Sequence, residues 1–194
     1  MIGIPMRAAS GRIIDLDNFT EHDVLIEDIA HGLACVNRFN GALKIPVSVA
    51  QHSVYVCRLC RQTEFRLQAL LHDASEAYIG DITKWLKGSP YFEKYRELED
   101  HIQRTIYRKF NVPEEQGAVV DAADVLMVRF EAMQGYPKDH NFIPDNYGAL
   151  REGYGVPTPD EIAAIGRWKP WDWKWSQDVF MAEFRMAQAM QVNV

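Results

Sequence analysis

Along this chain apolar residues recur mostly at helical spacing, and the strict alternation that marks strands is scarce. Residues 21–37 predict a first helix, with Val24, Ile29, Leu33 and Val36 on one side and acidic residues in the opening turns. Residues 47–62 predict a second, rich in apolar side chains, with His52 set among Val49, Val54, Tyr55 and Val56. Residues 65–79 predict a third. Residues 81–88 read as a polar turn, with room for a short helix around Trp85. Residues 90–110 form a charged amphipathic pattern with Tyr91, Tyr95, Leu98, Ile102, Ile106 and Phe110 on one face. Pro113 suits a first helical position, and Val119, Val120, Ala123, Leu126, Met127 and Phe130 continue that helix to 134. Residues 174–191 predict a last helix with Val179, Phe180, Phe184, Ala187 and Met190 inward. Ahead of all these, residues 1–20 read as an extended arm with a turn, and 12–16 as a short strand. The fold class is all-α.

One stretch breaks the helical pattern. Residues 135–173 carry Gly135, Pro137, Pro144, Gly148, Gly153 and Gly155, then run into Trp168-Lys169-Pro170-Trp171-Asp172-Trp173-Lys174-Trp175. Such a long irregular excursion before a C-terminal helix serves as a lid or an oligomer contact. The tryptophans read as apolar packing against the body of the domain.

Composition narrows the classes. At 194 residues and 47% hydrophobic, residues 1–194 suit a single folded domain rather than disorder. A net charge of −6 lacks the basic footprint of a nucleic-acid binder, so no nucleic-acid polymer is expected as partner. The odd set Cys35, Cys57 and Cys60 suggests reduced thiols in the cytoplasm. Cys57 and Cys60 read as buried helix-face residues rather than a redox or zinc pair. The N-terminus lacks a basic start followed by an apolar stretch, and no apolar run reaches membrane-spanning length, so no membrane partner is expected.

The chemistry concentrates in Leu71-His72-Asp73-Ala74-Ser75-Glu76 and the Gly80-Asp81 that follows. On a helix, residues three and four apart share a face, so His72, Asp73 and Glu76 can converge. Gly80 suits a left-handed helix end. Burying such groups in an apolar run is costly unless a cation or hydrogen bonds offset it. Imidazole and carboxylate are ordinary ligands of transition metals. His52 and Asp124 are the further polar residues inside apolar helices; together the set offers two imidazoles and two carboxylates around one ion. Asp121 is the rival to Asp124. His31 and His101 read as structural.

These motifs resemble the HD-domain metal-dependent phosphohydrolases, whose signature is His, then His-Asp, then a distant Asp, here His52, His72-Asp73 and Asp124. Val49-Ala50-Gln51-His52-Ser53 and the His72-to-Asp81 stretch are similar to the motifs of the bacterial 5′-deoxynucleotidases, and Arg38-Phe39 matches an Arg-aromatic pair before the first histidine. Phe130-Glu131 beyond Asp124 also fits. The compact chain with its arm is similar to the phage dATP triphosphohydrolases. The likeness covers about residues 22–135 and implies an HD-domain helical bundle around a metal site.

It further implies a divalent transition metal (Co2+, Mn2+, Zn2+ or Fe2+) on His52, His72, Asp73 and Asp124, with Mg2+ accompanying a triphosphate. Glu76 and Asp81 would be catalytic, with Arg38. Arg38 and Phe39 would contact substrate; Lys84 and Lys87 are candidate phosphate contacts by position. Metal ions polarise phosphorus centres and acidify bound water. The implied activity is hydrolysis of deoxynucleotides, with dATP-preferring release of triphosphate ahead of 5′-deoxynucleotidase action on dNMPs. A nucleotide-sensing module without turnover is the rival from another class. A homo-oligomer, dimer or hexamer, is implied, in the cytoplasm (the host's, for a phage-borne chain). Two departures touch base selection: Thr83 and Trp85 stand where prolines are usual, and Phe39 where tryptophan is.

Overall fold

The computed structural model describes residues 3–135, Ile165 and 169–191. Helices make up most of its regular structure. A hairpin of β1 (Pro5–Arg7) and β2 (Ile13–Asp15) comes first, antiparallel, with Met6 opposite Ile14. There follow α1 (Ile26–Cys35), α2 (Val49–Leu59), α3 (Arg66–Leu71), α4 (Glu76–Ile79), α5 (Lys84–Lys87), α6 (Glu93–Lys109), α7 (Ala118–Gly135) and α8 (Trp173–Gln191). Short 3-10 turns fill several of the connections.

The second helix is the axis of the bundle. Every residue from Val49 to Cys57 is buried, because helices α1, α3, α7 and α8 all pack on it. Its apolar residues, Val49, Ala50, Val54, Tyr55, Val56 and Cys57, fall on more than one face and so need neighbours on every side. Ser48 caps it, its Oγ accepting the Gln51 N–H at 3.1 Å. Gln51 is fully buried and clamps the approach to α8: its amide donates to the Lys169 carbonyl at 2.8 Å and accepts the Trp171 N–H at 3.0 Å. Trp171 then stacks on Tyr55, in keeping with the packing role expected of the tryptophans. Trp173 and Trp175 depart from that expectation, standing 51% and 56% exposed.

Several boundaries differ from the periodic pattern, each for a local reason. The first helix begins at Ile26 rather than 21, since Thr20 spends its N–H and hydroxyl on Asp23 and closes a turn there. The helix α7 begins at Ala118 rather than Pro113. Gln68 holds residues 113–117 out of helical form by donating to the carbonyls of Pro113 and Glu115 and accepting the Gly117 N–H. The arm is a hairpin rather than a lone strand, and Ser10 anchors it to buried Asp28 of α1 through N–H and hydroxyl at 2.7 and 2.8 Å.

The largest departure lies in the predicted third helix, which is broken between Leu71 and Glu76. The Gln103 side chain from α6 occupies the gap, donating to the Leu71 carbonyl at 2.7 Å and accepting the Ser75 N–H at 2.9 Å. Those two groups would otherwise bond each other in an unbroken α-helix, so the inserted amide replaces one rung of the ladder. Through the break the backbone tightens to bonds three residues apart, Ala74 to Leu71 and Glu76 to Asp73. Gly80 ends α4 with φ +82° and ψ 162°, which is an extended mirror conformation rather than the expected left-handed helical one.

Most of the 135–173 excursion lies outside the described residues, and so do its Lys138, Arg151 and Arg167, the cations it would add to a triphosphate site if it closed over the phosphates. Among the described residues no helix is long and apolar enough to cross a membrane. Cys57 and Cys60 are buried, as expected of core residues, and burial pushes the Cys57 thiol up to about 12.

The contact between α1 and α4 depends on a glycine. A Cβ added at Gly32 would come within 2.8 Å of the Ala77 Cβ and carbonyl oxygen. Gly32→Ala should therefore push the two helices apart and cost about 1–3 kcal/mol, as overpacking does. A thermal melt of the variant should show a lowered Tm.

Candidate metal centre

Three segments bring the cluster together. His52 projects from the buried face of α2; His72 and Asp73 sit in the α3–α4 break; Asp124 comes from α7. His52 Nε2 lies 3.3 Å from His72 Nε2. Asp73 Oδ2 lies 3.2 Å from His72 Nε2 and 3.8 Å from His52 Nε2. His52, His72 and Asp73 offer ligand atoms within 4.8 Å of one another. Asp124 Oδ1 adjoins both imidazoles, 3.0 Å from His52 Nε2 and 3.6 Å from His72 Nε2. The rival carboxylate Asp121 is elsewhere, exposed and accepting from Gln116.

The tautomers are set by what lies behind each ring. His52 Nδ1–H donates to Glu131 Oε1 at 2.9 Å, and His72 Nδ1–H donates to the Ala69 carbonyl at 2.9 Å. Both Nε2 atoms therefore carry lone pairs, and these face each other and two carboxylates in the core. Such an arrangement is repulsive unless a positive charge sits among the four groups. A cation fits the donor set, since imidazole nitrogen with carboxylate oxygen suits first-row transition metals. Without an ion the imidazoles themselves become positive. Burial works against charge on His72, yet Asp73 and Asp124 outweigh it and raise its pKa well above the ordinary value. Asp124 answers in kind: burial resists its charge, while His52 and His72 hold its carboxyl well below the usual range.

The exposure is uneven. The His52 and His72 side chains are 0% and 3% exposed, whereas Asp73 and Asp124 are 20% and 30% exposed. The cluster therefore opens to solvent on its carboxylate side.

Glu131 was visible in the sequence only as an accompaniment to Asp124. It lies seven residues on, on the same face of α7, and is fully buried. A glutamate two turns from a ligand candidate inside an apolar helix was the signal. Glu131 also pairs with Arg38, its Oε2 3.5 Å from Nε, while Arg38 Nη1 donates to Asp73 Oδ2 at 3.1 Å. Burial works against charge on Arg38, but Glu131 and Asp73 hold it firmly protonated.

Arg38 reaches this position from a strained turn. Phe39 and Asn40 both adopt left-handed backbone, φ +55° and +51°, which is uncommon for residues other than glycine. The Phe39 N–H donates to Asp81 Oδ2 at 3.0 Å, so the turn and Asp81 brace each other. The Phe39 ring lies 5.7 Å from the Arg38 guanidinium carbon. Burial raises the Asp81 carboxyl, with Arg38 opposing.

Glu76 is 3% exposed. Burial, with Asp73 and Asp81 adding to it, pushes its carboxyl well above the ordinary range; Lys87 and Arg38 pull the other way. The two lysines part company. Lys84 is exposed on α5, whereas Lys87 turns inward to Glu76 and Glu99. His31 and His101 lie outside the cluster, the first against Gln177 and Trp173, the second on the Phe19 carbonyl.

Two expectations follow from the geometry. Metal must displace protons from the imidazoles, whose pKa values are raised in the metal-free protein. Affinity for Mn2+ should therefore weaken as pH falls, already from above about 6.5, the ordinary imidazole value; isothermal titration in buffers of different ionisation heat should register the released protons. Glu131→Ala should lower that affinity roughly 10–100-fold, because the ring orientation and basicity of His52 are lost while the facing ligand atoms remain. Competition with a chelator of known affinity measures it.

No family model matches the chain. Among curated proteins it is 35% identical over 139 residues to YfdR, an uncharacterized protein of Escherichia coli (strain K12), covering 72% of this chain and 76% of that one. It is also 39% identical over 140 residues to an uncharacterized protein of Rhodobacter capsulatus, covering 66% of this chain and 71% of its relative. At that identity and coverage the chain belongs to the family that includes YfdR.

Proposed function

We propose that the chain is an HD-domain metal-dependent phosphohydrolase that acts on deoxynucleotides. The observation that carries this reading is the meeting of His52, His72, Asp73 and Asp124 beside a buried Glu76 whose Oε2 has no hydrogen-bond partner among the described residues. A closed structural zinc site would be rich in thiolates, and this cluster has none.

A divalent ion held by His52, His72, Asp73 and Asp124 would supply Lewis-acid polarisation of the phosphoryl group and acidify water. The chain's own residues do the rest. Glu131 and the Ala69 carbonyl hold the imidazoles in one tautomer. Glu76, with its raised pKa, is suited to take a proton from the attacking water near neutral pH. Water oxygen bonds to phosphorus, the bond from phosphorus to the 5′ oxygen breaks, and that oxygen takes up a proton. Asp81, also raised, is the acid positioned beside the Arg38-Phe39 turn for that delivery. Arg38 lends positive charge to the phosphoryl oxygens while fixed by Asp73 and Glu131.

The number of phosphates decides between the two deoxynucleotide reactions. The dATP-preferring triphosphohydrolase reading draws on Lys84 and Lys87 to neutralise a polyphosphate, and on Lys138, Arg151 or Arg167 of the excursion, which lie outside the described residues. Lys87 faces two carboxylates, and Arg38 already faces two more. With Asp73, Glu76, Asp81, Asp124 and Glu131 close by, the centre suits a monophosphate better than a triphosphate. We therefore rank 5′-deoxynucleotidase action on dNMPs first and the dATP reaction second, the latter supported by exposed Lys84 and by the likeness to the phage enzymes.

A phosphate-release assay over dNMP and dNTP panels with Mn2+ or Co2+, with chromatography of products, tests this. Orthophosphate and deoxynucleoside from dNMPs are expected; triphosphate from dATP with dAMP untouched would reverse the ranking. Binding of nucleotide and metal without turnover would make the chain a sensor instead. His72→Ala should lose metal and turnover together. Glu76→Gln should keep its metal and lose ~10²–10⁴ in kcat, the usual share of acid–base catalysis.

A further inference from the structure

Lys87 closes α5 and is half-buried, and its surroundings differ from those of a phosphate-binding lysine. Its Nζ donates to Glu76 Oε1 at 3.2 Å and to Glu99 Oε1 at 2.5 Å. The backbone beneath it is fixed: Arg96 donates to the carbonyls of Lys87 and Ser89. Tyr95 adds its ring, 6.0 Å from Nζ, and anchors to the Gly80 carbonyl through its hydroxyl at 2.9 Å. Tyr95, Arg96 and Glu99 all lie on α6. One helix therefore holds the lysine, its carbonyl and the glycine that ends α4, the helix that begins with Glu76.

The consequence falls on Glu76. The terminal torsion of a glutamate is broad, so a lone carboxylate turns easily. Here Lys87 occupies Oε1, while Oε2 is buried and has no hydrogen-bond partner among the described residues. A buried acceptor without a partner calls for a further donor, which a water molecule can supply.

We infer that Lys87, held in place by Glu99, is a positioning residue that pins Glu76 by one oxygen and leaves Oε2 to accept from the attacking water. This rests on the phosphohydrolase reading above. Lys87 then acts through Glu76 and makes no contact with the phosphate, and α6 is the support of the acid–base group.

The test uses the full chain loaded with Mn2+, as wild type, Lys87→Met, Lys87→Arg, Glu99→Gln, Glu76→Gln and Lys87→Met/Glu76→Gln. Metal content, kcat and KM are measured on the best substrate of the panel. Lys87→Met should lower kcat about 10²-fold, the loss typical of a misplaced catalytic group, with metal content and KM unchanged. Lys87→Arg should recover part of kcat. The double variant should be no slower than Glu76→Gln alone, since removing the supported group leaves nothing to support. A rise in KM at constant kcat would make Lys87 a phosphate contact and overturn the inference; so would losses that multiply in the double variant, or unchanged kinetics. Should Lys87→Met fail to fold, Glu99→Gln carries the same expectation with a smaller loss. Crystals of wild type and Lys87→Met give a readout independent of turnover. A Glu76 carboxylate that keeps its orientation without Lys87 overturns the inference, whereas a wild type without phosphohydrolase activity overturns the functional reading alone.

Discussion

Two imidazole lone pairs meet in the interior of this protein, 3.3 Å apart and faced by carboxylates. Buried groups of like polarity at that distance require a positive charge among them. Much of the architecture can be understood as the means of enforcing that encounter. The helix carrying His52 is enclosed on all sides, so its ring has one place to go. Glu131 behind His52 and the Ala69 carbonyl behind His72 take up the other ring nitrogens, which leaves the Nε2 atoms facing inward.

The backbone departs from regular geometry next to this encounter. The helix breaks at His72 and Asp73, where the Gln103 amide is inserted, and the chain turns left-handed at Phe39 and Asn40. Neither is a defect of packing. An unbroken helix would fix His72, Asp73 and Glu76 at spacings dictated by its own repeat, and the break frees them from it. Strain of this kind persists only where neighbours overdetermine it, and here they do: Asp81 bonds the Phe39 amide, and Gln103 fills both vacated backbone positions.

Charge is distributed with the same economy. Among the described residues carboxylates outnumber permanent cations around the centre, and Arg38 and Lys87 each span two of them. These cations neutralise the protein's own acids. On the reading we propose, a polyanionic substrate would depend on a metal ion for its neutralisation, and for that reason we place the monophosphate first.

The amino-acid sequence by itself determined that the chain is mostly helical, because apolar spacing records which face of each segment is buried, and that record is local. It also singled out His52, His72, Asp73 and Asp124, since polar residues within apolar runs are costly and therefore conspicuous. What it could not contain is pairing between segments. Gln103, Glu99 and Gln51 carry no signal of their own; each matters through a backbone group or side chain that only folding brings near. The break in the third helix was illegible for the same reason, as residues 65–79 have good helical periodicity and the interruption comes from α6. Lys87 shows the limit most clearly. Its position a few residues after Asp81 in the chain suggested a phosphate, and folding gave it Glu76 of α4 and Glu99 of α6 instead, because a charge takes the nearest partner in space, which is decided by tertiary structure.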